Sequence, residues 1–257
     1  MRARGAFVVV ASILLSAGFA QTVGAQTFVE QIAEVRMQLD LAVPKEALQK
    51  LLPPGWEPAV ATAGTAKDCN VRMIFVDRID INAEDGTPKG THKLVYLASP
   101  IKKTGGEVAG QMVIDGITAD PKDAPGPFGV YQAATDFRVD RSSHSVPGGP
   151  IQNEETWSFT AANGEHMELH LNYERGVARK VSSETKFYSA ANPDTYQIWK
   201  IDLGLDIMRN ATVQVPDKVK SLDLKASGGK VGILFDGTQR VVSVDALHWY
   251  NRVVSSP

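Results

Sequence analysis

The positions Val35-Arg36-Met37-Gln38-Leu39-Asp40-Leu41 alternate apolar and polar without a fault, the period of a half-buried strand. The period changes directly afterwards. Pro44 suits a first helical turn, and Ala47, Leu48, Leu51 and Leu52 share one face of a short helix that Pro53-Pro54-Gly55 stops. Apolar runs bounded by Gly, Pro or Asp predict further strands over 70–76, 93–98, 107–114 and 131–139.

Between Glu155 and Tyr173 the pattern predicts a hairpin with Asn163-Gly164 at its tip. A two-residue loop would set Phe159 opposite Glu168 and Trp157 opposite His170, mixing polar and apolar on both faces. A three-residue loop, Ala162-Asn163-Gly164 with Gly164 left-handed, pairs Phe159 with Met167 and Trp157 with Leu169, and is preferred. Trp199, Ile201, Leu203, Leu205 and Ile207 alternate with polar residues and predict a strand, although Tyr196, Trp199, Leu203 and Ile207 also fit a helical spacing. Ile233-Leu234-Phe235 followed by Asp236-Gly237 predicts a second hairpin into 241–244. Many strands with one early helix describe a mainly β (α+β) domain, expected to be a closed or nearly closed antiparallel barrel.

The chain starts Met1-Arg2-Ala3-Arg4, runs apolar from Ala6 to Ala20 and reaches Val23-Gly24-Ala25. A basic start, a run too short to span a bilayer and a small-residue end predict a signal peptide over 1–25, one domain over 26–257 and a periplasmic or secreted protein. Cleavage would leave 232 of the 257 residues, with no later run long enough for a membrane span; an uncleaved anchor is the alternative. Of the 27 basic residues Arg2 and Arg4 leave with the leader, so 25 face 29 acidic ones at a net charge of −4. The basic residues are scattered among acids, which argues against a nucleic-acid partner. Self-association stays open. Cys69 is the single cysteine, which rules out a disulfide within the chain and a thiolate zinc cluster, and beside Val71 and Ile74 it reads as a small buried side chain.

No Gly-rich phosphate loop, nucleophile-elbow serine or helical zinc motif is present, so no cofactor is implied. Gly126-Pro127-Phe128-Gly129 is a turn, and Asn210-Ala211-Thr212 matches a glycosylation sequon by pattern only. His166, Glu168 and His170 share one strand face and could hold a metal ion, but the same alternation describes the wet face of an amphipathic strand, and that reading is preferred. Lys102-Lys103 lies at an expected hairpin tip, and Lys122 follows a strand expected to be buried. Taken alone, each reads as a solvated lysine.

The order of elements resembles the acetoacetate decarboxylase-like superfamily. The resemblance runs from the strand, helix and double proline of 39–58 through Val71-Arg72-Met73, Pro121-Lys122, the Trp157 to Tyr173 hairpin, Thr195-Tyr196-Gln197-Ile198-Trp199-Lys200-Ile201 and Ser227-Gly228-Gly229-Lys230-Val231-Gly232-Ile233-Leu234. It implies a lysine imine that acts as electron sink while a carbon–carbon bond breaks, with Lys122 in the place of the imine-forming lysine; the amine must be neutral to attack, and acetoacetate decarboxylase is the standard example of such activation. Lys102 or Lys103 is the alternative nucleophile. Arg36, Arg72 and Trp157 are the substrate-binding candidates. The chain also departs from the pattern: Asp123 replaces a second lysine, Ile74 a glutamate, and Glu34 an arginine, with Arg36 close by. Two readings follow, a lyase acting on a β-keto acid or related small carbonyl compound, and a carrier or sensor that binds such a molecule in the same cavity.

Overall fold

The faultless alternation of 35–41 lies within one long strand, β1 (Thr27–Ala42), whose two faces are both largely covered. The structure, a computed structural model, describes residues 26–124, 126 and 128–257; the expected signal peptide lies outside them. Among the described residues the remaining strands are β2 (Trp56–Pro58), β3 (Val71–Ala83), β4 (Pro88–Lys103), β5 (Ala109–Thr118), β6 (Tyr131–His144), β7 (Ile151–Ala161), β8 (His166–Arg175), β9 (Arg179–Ser189), β10 (Tyr196–Asn210), β11 (Val219–Ser227) and β12 (Arg240–Ser256). The single α-helix among the described residues, α1 (Lys45–Gln49), buries Leu48 against the core.

Hydrogen-bonded neighbours run β1-β3-β4-β5-β9-β10-β12 and return to β1, a circuit of seven strands. An odd-membered circuit cannot alternate direction all the way round, so at least one pairing must be parallel. That pairing is β5 with β9, from Gln111↔Phe187 to Val113↔Ser189. Further along the same edge, β5 also runs parallel to β6 through Gly116↔Tyr131. From there β6, β7, β8 and β11 continue as an antiparallel extension. The expected all-antiparallel barrel is therefore corrected to a mixed sheet, and parity is the physical reason for the correction.

The extension folds back over the ring of seven. Phe75, on the outer face of β3, lies 6.0 Å from Trp157 and 6.5 Å from Phe159 of β7, ring centre to ring centre. Met37, Leu39 and Leu41 of β1 join the same core with Met167, Leu169 and Leu171 of β8. A second apolar cluster, with Ile74, Tyr96, Phe187, Trp199 and Val254, forms on the opposite face of the same strands and so lies inside the ring.

The β7–β8 hairpin has the predicted three-residue loop: Phe159 pairs with Met167, Trp157 with Leu169, and Gly164 has φ +81°. Residues 199–207 form a strand rather than a helix, and Lys102 and Lys103 end β4 at an exposed hairpin tip. The second predicted hairpin is absent. Residues Val231–Ile233 make a 3-10 turn because the Glu165 carboxylate accepts from the Lys230 and Val231 backbone N–H groups, at 2.7 and 3.4 Å. Gly228, at φ +75°, lets this loop approach the β7–β8 tip so closely that a Cβ would stand 2.0 Å from the Gly164 carbonyl oxygen. Residues 241–244 pair with β1 instead.

Candidate functional site

Because the extension covers the apolar face of β1 from outside, the polar face of β1 turns into the ring. A cavity of about 260 Å³ lies there, walled by Arg36, Gln38, Asp40, Arg72, Asp245 and Tyr250 together with residues of β5, β9 and β10. Thr65 and Ala66, in the loop between β2 and β3, cover one side. That loop is strapped down by Asn210, whose side-chain amide donates to the Thr65 carbonyl at 2.8 Å while its Oδ1 accepts from the Thr212 N–H at 2.8 Å. The glycosylation-like triplet thus does local structural work.

Two bulges aim the charged groups. On β12 the register against β1 shifts between Leu247 and Tyr250, so inward positions fall at Asp245, Leu247, Tyr250, Arg252 and Val254, with one step of three. On β3 a shift between Arg78 and Asp80 leaves Ile79 exposed and Arg78 buried. Arg36 is 3 % exposed; its Nε donates to Glu34 Oε1 at 2.6 Å, its Nη2 also pairs with that oxygen, and its Nη1 donates to the Tyr96 hydroxyl at 2.8 Å. The guanidinium lies over the Tyr250 ring at 3.9 Å. Burial opposes the Arg36 charge, but Glu34 and the two phenols more than offset it.

Asp40, Arg72 and Asp245 stand on three adjacent strands. Arg72 Nε lies 3.3 Å from Asp40 Oδ1, which also accepts from Gln38 at 3.0 Å. Among the described residues Asp245 forms no such ion pair, with Arg72 and Arg179 acting on it at longer range, and it accepts from the Ser243 hydroxyl at 2.7 Å. Burial first, and the Asp40 carboxylate second, push the Asp245 carboxyl up to about 7. Burial raises the Asp40 carboxyl too, with Arg72 and then Gln38 opposing the shift; the cavity therefore carries one carboxyl held by an arginine beside one that holds its proton up to about 7, an arrangement in which two carboxyls can take different roles.

This has a measurable signature. The folded state holds the Asp245 proton up to about 7, against an ordinary carboxyl value of 3.8. Asp115, buried next to Glu165, shifts the same way to about 7. Between the two values the folded protein binds more protons than the unfolded chain, so stability falls as pH rises from about 4 to about 7. Asp245→Asn is expected to make that decline shallower in urea midpoints measured across the window, and an unchanged slope would contradict the assignment.

The residues singled out from the sequence are dispersed. Arg36 and Arg72 line the cavity. Trp157 lies fully buried in the core between the ring and the extension, where its indole N–H donates to Glu155 Oε2 at 2.9 Å. Lys122 sits exposed in a 3-10 turn, its backbone N–H capped by Asp120 Oδ1 at 2.9 Å, and its side chain borders a small hollow of about 50 Å³ shared with Glu30, Arg78 and Lys89. Lys102 pairs with Glu57 at 3.1 Å on the surface. His166, Glu168 and His170 are on the outward face of β8, where Glu168 accepts from Lys225 at 2.9 Å and from His170 at 3.1 Å. No group of three or more His, Cys, Asp or Glu converges as metal ligands would among the described residues. Cys69 is buried, its thiol pushed up to about 12 chiefly by burial.

Asp245 and Tyr250 are cavity residues that the sequence pattern did not mark. Asp40 and Gln38 were visible as the polar half of the β1 alternation, the one signal that pointed into the cavity.

No protein-family model matches the sequence, and no curated protein matches it. Solved structures do. MppR, an enduracididine biosynthesis enzyme complexed with the condensation product of pyruvate and imidazole 4-carboxaldehyde, is similar at 12% identity over 98% of this chain and 96% of that chain, with a TM-score of 0.51. An acetoacetate decarboxylase-like enzyme from Sphingomonas wittichii is similar at 11% identity over 89% of this chain and 92% of that chain, TM-score 0.51. An acetoacetate decarboxylase is similar at 10% identity over 89% and 87%, TM-score 0.50. At these identities the likeness is one of fold. The chain has the acetoacetate decarboxylase-like fold that the sequence resemblance implied.

Proposed function

We propose that this acetoacetate decarboxylase-like fold binds a small oxo acid, or a related carbonyl compound, non-covalently inside its ring. The observation that carries the reading is the pairing of Arg72 with a proton-holding Asp245 in an inner cavity whose lining contains no lysine. A carboxylate entering the cavity meets the Arg72 guanidinium, whose Nε faces Asp40 Oδ1 at 3.3 Å without an aligned hydrogen bond. The ligand's carbonyl oxygen then accepts from the protonated Asp245 carboxyl, a donor that an ionised aspartate would not supply. A volume of about 260 Å³ is at the small end for ligand sites and suits a compound of few heavy atoms. The pyruvate-derived ligand of MppR is consistent with this class of molecule. The N-terminal leader reading adds that such a ligand is met outside the cytoplasm.

The second reading, a lyase working through a Lys122 imine, is favoured by one observation: Lys122 borders a small hollow together with Glu30, Arg78 and Lys89. Its exposure argues the other way, because an imine also needs a place from which water is excluded.

Calorimetric titration with pyruvate and acetoacetate separates the two. Binding is expected in the wild type, with at least a ~10-fold loss, about 1.4 kcal/mol, in Arg72→Leu and no loss in Lys122→Ala. Borohydride added with either acid is expected to leave every lysine unmodified. A trapped adduct on Lys122 would replace the binding reading by the imine lyase, and saturable binding that ignores Arg72→Leu would remove this cavity from consideration.

A further inference from the structure

Where the tip of the β7–β8 hairpin meets the ring, two acids face each other away from water. Asp115, on β5, and Glu165, at the tip, are both fully buried. Asp115 Oδ1 accepts from the Gly116 backbone N–H at 2.8 Å, while its Oδ2 is buried and has no hydrogen-bond donor among the described residues. Asp115 instead meets the Glu165 carboxyl, close enough for a hydrogen bond between the two once a proton is present. Two carboxylates in contact inside a protein do not both ionise, so one of them holds a proton.

Glu165 is the better placed to carry the charge. Its Oε1 accepts from the Lys230 and Val231 N–H groups at 2.7 and 3.4 Å and its Oε2 from the Asn163 side-chain amide at 3.2 Å, and hydrogen bonds to a carboxylate favour the ionised form. Burial first, the Glu165 charge second and the bond to Glu165 third raise the Asp115 carboxyl to about 7. The Gly116 N–H and the exposed Lys230 ammonium act in the opposite sense and come after these.

The surroundings tie the pair to a mechanical role. Asn163 fixes Glu165 within the hairpin loop, its Oδ1 accepting the Glu165 N–H at 3.0 Å. Gly229, at φ +44°, lies so close over the carboxylate that a Cβ would stand 2.2 Å from Oε1. The segment that follows sends Val231 and Leu234 into the core shared by ring and extension. The two acids thus occupy the joint at which β5, the hairpin tip and the 228–234 segment meet.

We propose that Asp115 and Glu165 share one proton and act as a pH-sensitive latch, which holds the hairpin tip and the 228–234 segment onto β5 while the proton is bound and loosens them when it leaves. Loss of the proton puts two anions in contact inside the protein, and outward movement of the tip and segment is what separates them. A carboxyl raised in the folded state stabilises that state at low pH, so the closed joint loses about tenfold in its equilibrium constant for each pH unit above about 7. The latch does not rest on the oxo-acid reading, since neither residue lines the cavity.

Hydrogen exchange of the full chain tests the latch, read by mass spectrometry on peptides spanning 161–166 and 228–234 and corrected for the intrinsic rate at each pH. Protection of the Lys230 and Val231 amides is expected to fall at least ~10-fold between about pH 7 and about pH 9, with β1 unchanged. In Asp115→Asn the new amide donates to Glu165 without titrating, and protection is expected to be kept at both pH values. Asp245→Asn, which removes the other carboxyl raised to about 7, is expected to leave the fall intact. Equal protection of the wild type at the two pH values overturns the latch, and so does a fall of the same size in Asp115→Asn. Should that variant not fold, carboxyl-carbon NMR titration of the wild type decides the matter. One shared step near 7 at Asp115 and Glu165 supports the pair, whereas separate steps in the ordinary carboxyl range, or no step up to about pH 9, overturn it.

Discussion

Glu34→Leu should lower the stability of the protein by about 3–5 kcal/mol, the cost of removing one partner from a buried charge cluster. Glu34 is 2 % exposed and its carboxylate lies between two guanidinium groups, Arg36 through Oε1 and Arg252 through Oε2. Leucine fills a similar volume, so packing changes little, but both arginines then remain inside the ring with no anion between them. Surface ion pairs, such as Lys102 with Glu57 at 3.1 Å, should by contrast contribute no more than about 1 kcal/mol. Urea unfolding with an unchanged slope and a lowered midpoint would report the loss. The double variant Glu34→Leu with Arg36→Met is expected to recover a large part of it, because the second change removes one of the stranded charges. A single variant within about 1 kcal/mol of wild type would mean that the arginines are solvated, and the closed interior described above would be wrong.

The other large effect belongs to Trp157. Truncation to alanine should cost about 3–5 kcal/mol, since the indole is fully buried where the extension meets the ring and its loss leaves a cavity between Phe75, Phe159 and Leu169. It also removes the N–H that donates to Glu155, leaving that carboxylate to the Tyr173 hydroxyl at 2.8 Å and to Arg141 at 3.5 Å. Trp157→Phe keeps most of the packing and is expected to lose about 1–2 kcal/mol for the missing donor. Binding in the ring cavity is expected to be unchanged in Trp157→Phe, because the residue is on the far side of β1 and β3 from Arg36 and Arg72. A loss of ligand affinity without loss of fold would return Trp157 to the site, where the sequence resemblance had put it.

How far the sequence could be read depends on how local each feature is. The β7–β8 hairpin was legible in register as well as in place, because one choice of loop puts Trp157, Phe159, Met167 and Leu169 on one face and every other choice mixes them. β9 was not legible. Its inward residues include Ser183 and Thr185, which line a polar cavity, so no apolar alternation marks it. The false hairpin at 233–244 carried a sound Asp-Gly turn signal, but Glu165, far away in sequence, supplies the carboxylate that makes 231–233 a 3-10 turn. The inward run of β12 was hidden for another reason: its bulge inserts a step of three between Leu247 and Tyr250, which breaks the period that would have grouped Asp245 with Arg252.

The cavity itself shows the boundary most clearly. The alternation of β1 is a property of the sequence, and it determined that Arg36, Gln38 and Asp40 would share one face and Met37, Leu39 and Leu41 the other. Which face meets water is not a local property. In this protein the extension β6-β7-β8-β11 covers the apolar face from outside, and closure of β5 onto both β4 and β9 encloses the polar face. Local period and turn chemistry therefore determined most of the strands, the helix and one hairpin register. Pairings between residues as far apart as Val113 and Ser189 decided the rest, turning a face expected to be wet into the wall of a site.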